Sequence, residues 1–144
     1  MSAASADRDR KGEVSMKMKT IHSAKVITPA AGVKSNCKVY GNQVFISGMT
    51  ARQLDGTVPA GMYAQAKAAF QKIRDLIEAA GGKMNDIIQI NIFATELSVE
   101  EFWKARREFF TGDFPCSTFV KVAGLATPDL VVEVNAIGFI GAGE

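Results

Sequence analysis

The chain has 144 residues, 47% of them hydrophobic, enough for one domain with its own core and too few for two. Its 17 basic and 15 acidic residues divide unevenly: residues 1–19 carry five basic and three acidic side chains, which leaves a neutral remainder and argues against a basic stripe for nucleic acid. The first residues lack the apolar stretch of a signal peptide and no run approaches the ~18 apolar residues of a membrane helix, so the expectation is a cytoplasmic protein with neither nucleic acid nor membrane as partner.

Residues 1–19, "MSAASADRDRKGEVSMKMK", are small, polar and charged without apolar periodicity, and are expected to be a disordered leader before a single domain over 20–144. His22 is the only histidine, so a histidine-based zinc site or catalytic triad has nothing to build on; it reads as a strand or surface residue. Cys37 and Cys116 lie far apart without CxxC spacing and are expected to be free thiols. "TPAAGVKSN" is a loop by its Pro, Gly and Ser content, and "VYGNQVFISGM" is a Gly-Asn turn running into a strand with Val44 and Ile46 on one side.

From Gly61 to Gly82 the period becomes helical. Ala66, Ala69, Phe70, Ile73, Leu76, Ile77 and Ala80 form one face, with Lys67, Lys72, Arg74, Asp75 and Glu78 on the other, and Gly81 and Gly82 as left-handed caps. "DIIQINIFATEL" reads as a buried strand with Ile88, Ile90 and Ile92 facing one way. Ser98 and Glu101 have capping-box spacing for a second helix to about Phe110. That helix is expected to bury Phe102, Phe109 and Trp103, with Arg106 and Arg107 on a solvated flank. In the last two strands Phe119 and Lys121 oppose Val120 and Val122, and Val132, Val134 and Ala136 oppose Glu133 and Asn135. The order is β-β-β-α-β-α-β-β, an α+β chain. Two helices cover one face of such a sheet, and apolar strand residues on the other face point to burial by sister subunits.

"GNQVFISGMTA", "GTVPAGMYAQAKAAFQKIRDLIEAAGGKMNDIIQINIFATEL", "FPCSTFVKVAGL" and "VVEVNAIGF" follow one another in an order that resembles the YjgF reactive-intermediate deaminase (Rid) family across roughly residues 30–140. The resemblance implies a two-layer chorismate-mutase-like fold, a mixed sheet of about six strands with two helices on one face. It also implies a homotrimer with ligand clefts between subunits. The implied chemistry is hydrolysis of reactive enamines and imines, such as 2-aminoacrylate, to ketones and ammonia, with no metal or organic cofactor. By the same resemblance Glu133 matches the family glutamate that positions water or the imine nitrogen, and Gly48 lies where the cleft is lined by backbone.

In deaminating members the residue two after the proline is an arginine that grips the substrate carboxylate; here it is Ser117. Losing a bidentate pair weakens carboxylate binding by ~3 kcal/mol, on the order of 100-fold. Three readings follow. Arg52, or Lys34 in the preceding loop, supplies the charge for a larger dicarboxylate such as 2-aminomuconate; Arg52 as a plain loop-surface arginine is the alternative. Ser117 and Thr118 with Glu133 bind a less charged small molecule, against which Glu133 simply pairs with Lys121 across the sheet. In the third, activity is lost and the trimer is a non-catalytic ligand-binding or regulatory protein. Ser117 and Cys116 as nucleophiles lack an activating partner and read as lining. Some relatives are linked to endoribonuclease or translation-inhibiting activity, which the neutral body disfavours.

Overall fold

The computed structural model describes residues 17–143. Its elements are β1 (Lys19–Ile21), β2 (Cys37–Tyr40), β3 (Gln43–Met49), α1 (Met62–Ala79), a 3-10 turn (Met84–Asp86), β4 (Ile87–Ala94), α2 (Val99–Arg107), β5 (Cys116–Lys121) and β6 (Val132–Phe139). The expected order is present. Of the expected leader, residues 1–16 lie outside the described residues, while Lys19 already pairs with Val39 as the first residue of β1.

One six-stranded sheet runs β1-β2-β3-β6-β4-β5. Only β4 and β5 are parallel, and a parallel neighbour requires a crossover, which α2 supplies. β6 alternates strictly between buried and half-buried positions. Its buried set, Val132, Val134 and Ala136, faces the helices with Ile90 and Ile92 of β4 and Val44 and Ile46 of β3. Phe70 of α1 anchors this layer, with ring centroids 5.4 Å from Phe102, 5.5 Å from Phe109 and 5.7 Å from Phe110. Phe119 closes the core from the sheet edge, edge-on to Phe102 at 5.5 Å.

α1 ends in the Schellman arrangement: the Gly82 N–H donates to the Ile77 carbonyl at 2.8 Å and the Gly81 N–H to Glu78 at 3.0 Å, with Gly81 at φ 92°. Its polar face is less exposed than the period implies. Asp75 is buried and accepts a hydrogen bond from Gln71 Nε2, and Lys72 is half-buried. Gln65 is fully buried and bonds three backbone groups: Nε2 donates to the Pro59 and Asp129 carbonyls, and Oε1 accepts from the Val131 N–H at 2.8 Å.

Three expectations are corrected. Ile88 is exposed, because the β4–β6 register slips between Ile87 and Gln89 and the extra residue turns Ile88 outward while Ile87 takes the inward position. Trp103 is 42% exposed; the short α2 stops at Arg107, and Phe109 and Phe110 in the turn after it fill the core instead. Ser98 does stand at the N-cap of α2, its carbonyl accepting from Phe102 N–H, but its side chain makes no cap bond. Among the described residues no helix is long and apolar enough to cross a membrane.

Candidate functional site

Glu133 and Gly48 come together across β3 and β6. The two strands slip register between Ile46, opposite Ala136, and Met49, opposite Val134, so β3 bulges where Gly48 sits. The Glu133 side chain lies against that bulge: a Cβ built on Gly48 would stand 2.6 Å from Glu133 Cδ and 2.9 Å from its Cγ and Oε2. The glycine is therefore required by close approach. Glu133 faces away from the helices, opposite Phe93 of β4, and among the described residues no hydrogen bond or ion pair engages its carboxylate. Lys121 does not pair with it. That lysine is in register with Ala94 and Val132, whose side chains point to the helix layer.

Beside Glu133 on the open face runs a polar row that the sequence reading did not assemble. Asn91 donates to Asn135 Oδ1 at 3.0 Å, and Thr118 stands next to Asn91 in register. The signal was available in part: Asn91 and Asn135 occupy the outward positions of alternating strands, but only the β4–β6 register makes them partners.

Ser117 is not on that face within one protomer. It aligns with the buried Ile90, on the helix side of the edge strand, and Arg106 Nη1 of α2 lies 3.5 Å from Ser117 Oγ. Arg106 is half-buried, its guanidinium 5.4 Å from the Phe114 ring centre and its Nε enclosed without a hydrogen-bond partner. Burial, and then the adjacent Arg107, hold its pKa below the ordinary arginine value. The solvated flank expected for Arg106 is thus corrected: the turn after α2 wraps Phe114 back over it.

Arg52 ties its own loop to the β5–β6 connection. Nη1 donates to the Gly56 carbonyl at 2.9 Å, and Nη2 donates to Thr127 Oγ1 at 2.8 Å and forms an ion pair with Asp129 Oδ1 at 3.2 Å. The Thr127 hydroxyl, and then Arg52, hold the Asp129 carboxyl below its ordinary pKa. Arg52 also borders two adjoining cavities of about 350 and 370 Å³ that share Ile27 and Lys72; the second is lined by Lys34 and Gly48 as well. The 26–36 loop forming its wall is tied to β3: Asn36 Nδ2 donates to the Ile27 carbonyl, the Ser47 N–H to the Asn36 carbonyl, and the Ser47 hydroxyl to the Ser35 carbonyl at 2.6 Å.

The thiols differ. Cys37 is buried in β2 and its pKa is pushed up to about 11 by desolvation, whereas Cys116 is exposed at the start of β5.

The architecture and the ordered motifs agree with known proteins. A family model described as Endoribonuclease L-PSP matches residues 26–140. The chain is 34% identical over 102 residues to the 2-iminobutanoate/2-iminopropanoate deaminase of Escherichia coli K12, covering 67% of this chain and 79% of that one. Among solved structures it resembles RidA from an Antarctic Psychrobacter, with TM-score 0.78 and 31% identity over 85% of this chain and 99% of that one. It also resembles E. coli TdcF with bound serine, with TM-score 0.77 and 27% identity over 84% and 98%. Motif order, sheet topology and these relatives converge, and the chain belongs to the endoribonuclease L-PSP, or YjgF/Rid, family.

Proposed function

We propose that this protein is a hydrolytic imine and enamine deaminase that releases ammonia from a small metabolite at clefts between the subunits of a homotrimer. The observation that carries this reading is the carboxylate of Glu133, unpaired among the described residues and laid on the Gly48 backbone. A family relative named as an imine deaminase supports the chemistry, and the serine-bound TdcF structure supports a small amino-acid-sized ligand.

In this reading an enamine first tautomerises to the imine, water adds to the imine carbon while Glu133 takes a proton from it and gives it to nitrogen, and Glu133 then moves the hydroxyl proton of the tetrahedral carbinolamine to the same nitrogen as the C–N bond breaks, leaving a ketone and ammonia. Gly48 leaves room for the carboxylate and offers backbone polar groups to the ligand. Thr118, beside the Asn91–Asn135 pair, supplies a hydroxyl on the same face as Glu133. Ser117, facing the other side of its own sheet, contacts ligand in a cleft shared with a neighbouring copy, where Arg106 stands behind it. Arg52 shapes the pocket through the loop it ties to Asp129. The outward sheet face carries Phe45, 44% exposed, and Val120, 41% exposed, which trimer contacts would cover.

The test is ammonia release from 2-aminoacrylate generated in situ. Wild type is expected to accelerate it, and Glu133→Gln to lose on the order of 100-fold of that acceleration with an unchanged oligomer. A non-catalytic ligand-binding trimer would instead show ligand-dependent thermal stabilisation without product.

A further inference from the structure

Lys72, in the middle of α1, is half-buried on the wall shared by the two cavities. The titratable groups that line them with it are Lys25, Lys34, Arg52, Tyr63, Lys67 and Asp75. Two of these cations are compensated, Arg52 by Asp129 and Lys67 by Glu108 at 3.9 Å, but among the described residues Lys72 makes no ion pair or hydrogen bond. Asp75, the one acidic residue of the lining, already accepts a bond from Gln71 Nε2. An ammonium group at this place stands among like charges and is partly stripped of water, and both conditions favour the neutral amine. The remaining wall is apolar, formed by Ile27, Leu54, Ala64 and Ala68. A lysine set between an apolar wall and a cluster of cations has the surroundings that make an amine nucleophilic.

We infer that Lys72 is a modification site, acylated on Nζ by small acyl phosphates that the neighbouring cations attract. The amine lone pair forms a C–N bond to the acyl carbon, the C–O bond to phosphate breaks with its electron pair, and the departing phosphate takes the proton that nitrogen releases. Lys25 and Lys34, both exposed, draw in the phosphate, and the apolar wall accepts the acyl carbons. The product amide is uncharged, so acylation relieves the repulsion and desolvation that the ammonium suffers. The titration of Lys72 agrees with the geometry: burial, and then the nearby Lys34 and Arg52, push its pKa down to about 8. At neutral pH about a tenth of it is then free amine, against less than about one part in a thousand for an ordinary lysine; nucleophilicity falls with basicity, as it does among thiolates, and a net gain on the order of tenfold remains. The inference goes beyond the deaminase reading and does not rest on it, since acylation needs neither Glu133 nor an imine.

The test exposes the full chain at pH 7.5 to acetyl phosphate and, separately, to p-nitrophenyl acetate, a neutral acetyl donor, and follows acetylation at each lysine by quantitative peptide mass spectrometry. Lys72 is expected to react with acetyl phosphate at least about tenfold faster than the exposed Lys83 and Lys104. Lys34→Gln, on an exposed loop away from the core, should lower the ratio of the acetyl phosphate rate to the ester rate at Lys72 severalfold, because it removes charge that attracts the phosphate. Acetylation of Lys72 no faster than that of Lys83 and Lys104 would overturn the site. Fast acetylation by both reagents, in a ratio that Lys34→Gln leaves unchanged, would overturn acyl phosphates as the modifying class and leave only a reactive amine.

Discussion

A methyl group on Gly48 has nowhere to go while Glu133 keeps its place, since the carboxyl carbon would be 2.6 Å away. Gly48→Ala is therefore expected to move Glu133 rather than to unfold the sheet. A displacement near 1 Å costs turnover on the order of 100-fold; the check is the rate of ammonia release beside an unchanged melting temperature. The two thiols give a second expectation at this scale. Cys116 should take one equivalent of a thiol reagent at neutral pH while buried Cys37, with its pKa near 11, is labelled only after denaturation. Lys72 gives a pH dependence. Its folded pKa is about 8 against an ordinary 10.5, so between those values the unfolded chain binds more protons and Lys72 makes stability rise with pH; the contribution is lost as pH falls through 8. The titratable groups that line the pockets with it are Lys25, Lys34, Arg52, Tyr63, Lys67 and Asp75. Urea midpoints at pH 7.5 and 10 should show a smaller rise in Lys72→Met than in wild type. None of these three properties is written in the local sequence around the residue. Gly48 and Glu133 were singled out as candidate site residues by the resemblance, but the reason for the glycine is a contact across 85 positions.

Among the elements, α1 was legible because its apolar residues return every three or four positions and two glycines end it. β6 was legible because it alternates without interruption. Where a single residue is inserted, alternation misleads: the slip at Ile87–Gln89 reverses Ile88, a reversal that only pairing with β6 reveals. Polar residues of α1 misled for the complementary reason. Gln65 and Asp75 look like solvated positions in a helical period, yet segments distant in sequence close over them. Gln65 binds the 129–131 segment, which in turn carries Asp129 to Arg52. Gln65→Leu would strand two carbonyls and one N–H, and the expected loss is about 2–4 kcal/mol in urea unfolding. Gln65→Glu, which keeps one acceptor for Val131, should be distinguishable from it by a smaller loss of the Val131 amide's protection in hydrogen exchange.

For the whole molecule, a sheet with two helices on one side leaves the other side to be explained, and its mixture of Phe45, Val120 and a glutamate suits an interface that also holds a site. A homotrimer predicts three times the protomer mass in light scattering, and Phe45→Glu should reduce it to one while preserving secondary structure. A wild-type monomer at micromolar concentration would remove the shared cleft and with it the role given to Ser117. The topology was legible because α1 and the central strands announced themselves and the order of the motifs matched a known family, whereas β1 begins inside the expected leader and shows itself only by pairing with β2. The candidate site was legible only in part, because Arg106 behind Ser117 is brought there by packing rather than by motif. The most direct measurement is the decay of 2-iminobutanoate followed in the presence of wild type and of Glu133→Gln. Catalysed decay to the ketone that the substitution removes, with the fold and oligomer intact, is the result predicted; decay at the buffer rate with both proteins, or at the same catalysed rate with both, would contradict a hydrolase centred on Glu133.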